Sequence, residues 1–482
     1  MLARRSLLVL LSFGLEVACT PTPRSESSIC GSQSNQDLLA SFVPERPHDP
    51  PGVPAAEQRG SPRFTRAPVV RRGPFQSIQV NVDAVGLNIV GDAANEPSIA
   101  VDPTNPDRMA IGWRQFDTVQ SDFRQAGWGY TQDGGQTWTV GGILEPGVFR
   151  SDPVLEADAD GVFYYNSLKV VNDVFTTDVF ESSDGGMTWS APTFAFGGDK
   201  SWMIIDRSGG IGDGHIYCAW NAFFSCCGMD SFNRSTDGGS SFSTPIAIPA
   251  MPLFGTLAVG PAGELYVAGI DSFDHSRFPV AKSTNAQDAA ATLSFDSVTS
   301  IDLGGCFRQS STGPNPIGLL GQVGIAVDTS GGPFTGDVYV LYAVDPPGPD
   351  PLDLSFASSQ DGGSTWSAPV RINQDPPGAD AWQWFPTMDV APDGRIDVLW
   401  NDTSASAEAN LSELFHSWSD DGGLTWSPGE PVSPMWDSHL GWPNNNKIGD
   451  YYDMVSDNAG ASVAWAATFN GEQDVYFLRI DR

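Results

Sequence analysis

The 482-residue chain is short of positive charge: 25 Lys and Arg stand against 58 Asp and Glu, a formal net charge of −33. A body this acidic repels nucleic acid and anionic membrane surfaces, so neither is an expected partner. The imbalance is uneven, because residues 1–76 hold nine basic against six acidic residues and leave 16 against 52 for the remainder. Six cysteines in 482 residues are too few for a disulfide-dense scaffold. The adjacent Cys226 and Cys227 lack the Cys-x-x-Cys or His spacing of a zinc site, and no metal or other cofactor is expected. Past the N-terminus no long apolar segment repeats at 3.6 residues, which makes helices minor. Phosphate loop, dinucleotide fingerprint and nucleophile elbow are all missing.

What is plentiful is turn and strand material: 52 Gly, 37 Pro and 11% aromatic residues. One octapeptide recurs. It reads Thr131 to Trp138, Ser182 to Trp189, Ser359 to Trp366 and Ser419 to Trp426, with a softer copy from Ser235 to Phe242. Each carries Asp-Gly-Gly, where the glycines supply positive φ for a tight hairpin and the carboxylate accepts from nearby backbone N–H groups. The aromatic that follows is expected to plug the sheet beneath. The aspartates Asp133, Asp184, Asp237, Asp361 and Asp421 are 51, 53, 124 and 60 residues apart, so the long gap holds two units and one lacks its copy. An internal repeat of this length decides architecture before other arguments.

Six pairs of short strands precede these hairpins or lie between them and a seventh follows the last, with inner members near Ser98, Val154, Met203, Leu257, Ile325, Met388 and Met454. Val475 to Ile480 adds a third strand to the last unit, and Ser77 to Val82 is an orphan strand that can complete it. The expected fold is all-β: a seven-bladed β-propeller of four-stranded antiparallel blades, closed by strands from both termini. The alternative is six blades with the unit around Leu293 to Phe307 as an insertion. Residues 77–482 form the propeller in either case.

The octapeptides resemble the Asp box, or BNR repeat, of sialidase-like β-propellers. That resemblance implies that the boxes are fold staples on the face away from the ligand. It also implies chemistry at the opposite, funnel face, where a sialidase holds the substrate carboxylate with three arginines and attacks with a tyrosine. Glu96 stands where the first of those arginines is expected, ahead of Pro97-Ser98-Ile99, and would repel an anionic sugar. Tyr451, in Gly449-Asp450-Tyr451-Tyr452-Asp453, matches the position of the late tyrosine. The catalytic candidates are therefore Tyr451, Asp117 and Glu96, with Glu96, Asp117, Asp152 and Asp450 as possible carboxylate pairs for hydrolysis of a neutral glycan. Candidate ligand-binding residues are Arg114, Arg150, Asp152, Trp202, Asn221, Trp384, Asn401 and Asp450, a set suited to hydroxyl-rich ligands.

Residues 1–19 have the layout of an export signal: Arg4 and Arg5, the apolar run Leu7 to Leu15, then Ala18-Cys19. They resemble a lipoprotein signal with Cys19 as the lipidated residue, although Glu16 departs from it. Residues 20–76, rich in Pro, Ser and Arg, read as a disordered tether. Cys218, Cys226, Cys227 and Cys306 suggest two disulfides. Asp102, Asp107, Asp158, Asp160 and Asp213 lie in turns where structural calcium is an option, although such turns usually cap themselves. The sequence thus suggests an exported bacterial protein, secreted or lipid-anchored at the surface. It is expected to be monomeric and to bind a glycan or cell-surface protein, with glycoside hydrolysis as the alternative.

Overall fold

Strands of alternating pattern, interrupted every few residues by Gly, Pro or Asp, pair with their sequence neighbours, and a computed structural model shows the result for Asp49 and residues 65–482. Seven antiparallel sheets of four or five strands follow one another in the chain, beside a two-stranded pairing of Thr65–Arg66 with Leu87–Asn88. The innermost strands are Ala93–Val101, Arg150–Ala157, Trp202–Ile205, Leu257–Val259, Gly324–Val327, Gln383–Val390 and Asp453–Asp457. Each meets its successors in order outwards, which makes the molecule a seven-bladed β-propeller. Ser297–Ile301, within the segment that a six-bladed ring would treat as an insertion, is the outermost strand of blade 4.

Blade 7 closes the ring with both termini. Phe75–Gln79 pairs with Asp474–Asp481 in the register Ser77↔Leu478, and Val69–Arg72 adds a fifth strand outside it. Val69–Arg72 and Thr65–Arg66 lie within the stretch read from sequence as a tether, and Asp49 exchanges hydrogen bonds of 3.0 and 3.1 Å with Asp122 on blade 1. The export signal, Cys19 and the rest of the tether lie outside the described residues.

The Asp boxes act as expected, and also join blades. In the box at 359–366, Ser359 Oγ donates to Asp361 Oδ1 at 2.8 Å and accepts from Gly363 N at 2.8 Å, while Thr365 donates through N and Oγ1 at 2.8 and 2.7 Å. These donors, the Thr365 hydroxyl above all, pull the Asp361 carboxyl down to about 2. Trp189 packs on its own blade, its ring 5.6 Å from Tyr165, whereas Trp426 and Trp138 also reach across to a neighbour. They pack against Phe356 and Phe477 of the preceding blades, with ring centroids 5.1 and 5.2 Å apart.

Blade 4 keeps a disguised box. Asn285 replaces the aspartate, accepts from Ser283 Oγ at 3.2 Å and from Ser294 N at 3.1 Å, and is followed by Phe295, whose ring lies 5.3 Å from Phe232 of blade 3. Asn keeps the acceptor oxygen, so the turn survives while the motif disappears. The cysteines do not form two pairs among the four in blades 3 and 4. Cys218 is free and buried, Cys226 is bonded to Cys227, and Cys306 is itself disulfide-bonded.

The second glycine of a box tests this interblade contact. A Cβ on Gly135 would stand 2.1 Å from the Phe477 ring, whereas one on Gly363 would stand 3.4 Å from Tyr266, and both residues have positive φ. Gly363→Ala should therefore lose about 1 kcal/mol from backbone strain alone. Gly135→Ala should lose about 2–4 kcal/mol, because overpacking adds to the strain. Equal losses for the two variants in urea denaturation would contradict the contact.

Candidate functional site

Every blade enters its innermost strand through one residue of left-handed backbone: Glu96, Asp152, Lys200, Phe254, Gly321, Phe385 and Gly449, with φ from 48 to 130°. Five of the seven are not glycine, and each of those costs about 1–2 kcal/mol of strain. The turn aims three of these side chains at the ring centre. Glu96, Asp152 and Asp450 meet Arg114, Lys200 and Lys447 there. Arg114 Nε lies 3.1 Å from Glu96, and Lys200 Nζ lies 3.6, 3.4 and 2.6 Å from Glu96, Asp152 and Asp450. Lys447 Nζ lies 3.7 Å from Glu96 and 2.5 Å from Asp450. Three formal positive charges match three negative ones.

All six side chains are buried. The cover is the connection from blade 4 to blade 5, where Leu319 N donates to Asp450 Oδ1 at 2.7 Å and Asn315 Nδ2 donates to the Gly449 carbonyl at 2.7 Å. Burial pushes Glu96 up to about 8 against the pull of Arg114 and Lys200. Burial acts on Asp450 in the same direction, but Lys200, Lys447 and Arg114 outweigh it and hold that carboxyl well below the usual range. Tyr451 is buried beneath the cluster with its hydroxyl donating to the Pro153 carbonyl at 2.9 Å, and its pKa is raised by burial and by Glu96.

The other predicted site residues are spread out. Asp117, at the end of the second strand of blade 1, accepts from Gln125 Nε2 at 3.1 and 3.2 Å. Arg150 is buried within blade 2, 2.6 Å from Asp178 and over the Phe180 ring. Arg114 sits in the central cluster and Arg150 within blade 2, each paired with a carboxylate, so the candidate arginines do not assemble into a carboxylate-binding set. Asn221 links blades 3 and 4 by accepting from Phe254 N at 3.1 Å. Trp384 and Asn401 have no exposed surface, and the Trp384 indole donates to Ser412 Oγ at 3.0 Å, which makes both core residues rather than ligand-stacking faces. Trp202 stands against Tyr451, with ring centroids 5.2 Å apart, at the inner end of a cavity.

That cavity is the central channel, about 540 Å³ in volume. Its direction follows from register. Val101 pairs with Met109, which pairs with Thr131 at the start of an Asp box, so the inner strands end on the Asp-box face. The lining runs from Trp202, Gln322 and Tyr451 to Arg207, Gly331 and Thr335. Gln322 and Tyr451 are buried whereas Arg207, Gly331 and Thr335 are exposed, so the channel opens on the Asp-box face. Four residues after each left-handed residue of blades 2 to 7, a side chain lines the wall: Glu156, Ile204, Ala258, Ile325, Asp389 and Asp453. Burial raises Glu156 to about 8, Asp389 to about 7 and Asp453 to about 6, opposed respectively by Arg207, by Ser456 N and by Ser98 Oγ.

Sequence reasoning missed these three carboxyls. The available signal was one acidic residue in an otherwise apolar inner strand, as in Pro153-Val154-Leu155-Glu156-Ala157. The turns at Asp102 and Asp158 cap themselves through Thr104 N and Val162 N at 2.8 and 2.9 Å.

No family model matches the chain, and no curated protein matches it by sequence. Among solved structures, it is similar in fold to a Dyadobacter fermentans protein of unknown function at 15% identity and TM-score 0.47, covering 86% of this chain and 100% of that one. An α-L-arabinofuranosidase from Fusarium graminearum matches at 12% identity and TM-score 0.42, over 87% and 96%. A Hadza microbial sialidase matches at 12% identity and TM-score 0.42, over 89% and 98%. The chain is an Asp-box β-propeller. That statement rests on its own seven blades and box geometry; at these identities and scores the neighbours lend no weight to a shared activity.

The channel carboxyls of this Asp-box propeller give stability a pH dependence of definite sign. Their folded-state pKa values exceed the ordinary ones, so the stability they contribute is full below the unfolded values and is lost as pH rises through the folded ones. For Glu156 that window runs from 4.5 to about 8. The thermal midpoint should fall across it, and Glu156→Gln, which does not titrate, should flatten the fall. An unchanged slope in the variant would contradict the assignment.

Proposed function

We propose that this Asp-box propeller is a recognition module that takes a hydroxyl-bearing ligand, one or two sugar units of a glycan, into the central channel from the Asp-box face. The observation that carries the reading is the contrast between the two ends. The channel is open where the inner strands end, whereas the carboxylates of the opposite face are buried and neutralised among themselves. A cavity of about 540 Å³ falls within the range of small-ligand sites. Glu156, Asp389 and Asp453, with pKa values raised to about 8, 7 and 6, present both protonated and ionised carboxyls near neutrality, and these donate to and accept from hydroxyls. Trp202 supplies an aromatic surface, and the buried Gln322 amide leaves its oxygen and nitrogen without partners. The export layout of residues 1–19 supports a module that works outside the cell, secreted or held by lipid at Cys19.

One feature favours a second reading, glycoside hydrolysis at the covered face. Glu96 is raised to about 8 while neighbouring Asp450 is held low, the split expected of a general acid beside an ionised partner. The cover formed by the 302–323 connection would have to move aside for that chemistry.

A glycan array followed by calorimetry with the wild type, Trp202→Ala and Glu156→Gln separates the readings. Each variant should weaken binding by about tenfold or more. Wild-type affinity in both would remove the channel from the argument, and a blank array beside capture of a surface protein would replace the glycan. Release of fluorophore from a neutral glycoside or sialoside, abolished by Glu96→Gln or Tyr451→Phe, would establish the hydrolase instead.

A further inference from the structure

Between blades 5 and 6, on the face opposite the Asp boxes, three aspartates gather around one cation and a fourth stands beside them. Asp350 and Asp353 come from the connection and third strand of blade 5, Asp375 follows its outermost strand, and Asp402 ends the second strand of blade 6. A bridge between Leu352 and Trp382 holds the two segments side by side. Arg371 lies 3.8, 2.7 and 3.0 Å from Asp350, Asp353 and Asp375, and is the one cation paired with these three among the described residues, while Asp402 joins them through Gln383. Four carboxylates against one guanidinium leave this largely buried cluster short of positive charge, which is costly unless a further cation joins it.

The hydrogen bonds show where that cation fits. Arg371 Nε and Asn373 Nδ2 both donate to Asp353 Oδ1 at 2.7 Å, and both residues also donate to Asp375 Oδ1, at 3.0 and 2.6 Å. Gly378 N donates to Asp350 Oδ2 at 2.7 Å. Left over are Asp350 Oδ1 and Asp375 Oδ2, buried oxygens without any donor. Gln383, with 0% exposure, reaches the same place from blade 6: its Nε2 is 3.5 Å from Asp375 and 3.3 Å from Asp402, and its Oε1 has no partner. One oxygen from each of Asp350, Asp353 and Asp375 lies within 4.8 Å of the others. Calcium takes 6–8 oxygen ligands at about 2.4 Å, so a set confined within this bound can surround it. Magnesium usually keeps several waters and takes one or two carboxylates, so three carboxylates beside an amide suit calcium better.

We infer that Asp350, Asp353, Asp375 and Gln383 form a calcium site whose ion clamps the blade 5 connection to the entry of blade 6. Water completes the coordination sphere, and Arg371 and Asn373 orient the carboxylates. The site is separate from the channel, and its fate does not depend on the proposed ligand.

The test is calcium titration of chelator-treated full-length protein by calorimetry, in about 0.15 M KCl so that the diffuse charge of the acidic surface is screened. The expected result is one saturable ion per chain and a thermal midpoint that rises with calcium more than with equal magnesium. Asp350→Asn should weaken calcium binding by about tenfold or more, with the same far-ultraviolet circular dichroism. Asp288→Asn, in an exposed turn of blade 4, should bind as the wild type does. Absence of saturable binding in the wild type overturns the proposal, as does wild-type affinity in Asp350→Asn. If Asp350→Asn does not fold, Gln383→Leu takes its place, read by the same loss of affinity.

Discussion

Desolvating charge is the constraint on which this ring depends. Glu96 and Arg114 come from blade 1, Asp152 from blade 2, Lys200 from the entry to blade 3, and Lys447 and Asp450 from the entry to blade 7. Each alone would be prohibitively costly to bury, and together they are tolerable only in the paired arrangement. The set spans the seam at which the N-terminal strand completes the C-terminal blade. A ring closed in the wrong register would strand these charges, so the cluster favours a single closure as well as supporting it. The left-handed residues at the strand entries accept backbone strain to place these side chains.

The same cluster shapes where function can lie. By sealing the face that Asp-box enzymes are expected to use, it leaves the channel entered from the opposite end. There the boxes surround the opening as staples between blades, with Trp426 on Phe356 and Trp138 on Phe477. The carboxyls inside are kept from ionising fully by burial, which suits them to hydroxyl groups more than to a bare cation. The cluster between blades 5 and 6 differs, because buried carboxyl oxygens of Asp350 and Asp375 there are left without donors.

Much of this architecture was legible in the residues. Spacing of the boxes gave seven units, and Ser77 to Val82 was recognisable as the closing strand because nothing beside it could pair with it. Blade 4 hid its box because Asn285 and several inserted residues broke the pattern without breaking the hydrogen bonds. The site was harder. Strand-end position puts Glu96, Asp152, Arg114 and Asp450 on one face, but exposure depends on what covers them, and the 302–323 connection has no signature of its own. Trp384 and Asn401 were misplaced for the same reason, since strand-end position does not reveal burial. Glu156, Asp389 and Asp453 were overlooked because a charge on an inner strand looks like an exception until seven strands converge.

The sequence by itself determined the Asp-box turns, because their hydrogen bonds join residues two to four apart and need no partner from elsewhere. It determined the number of blades through the repetition of those turns. Only the tertiary structure decided which charges meet and which face is open. Those contacts join residues as distant as Pro153 and Tyr451, 298 apart, or Ser98 and Asp453, 355 apart, and they exist only once the ring has closed.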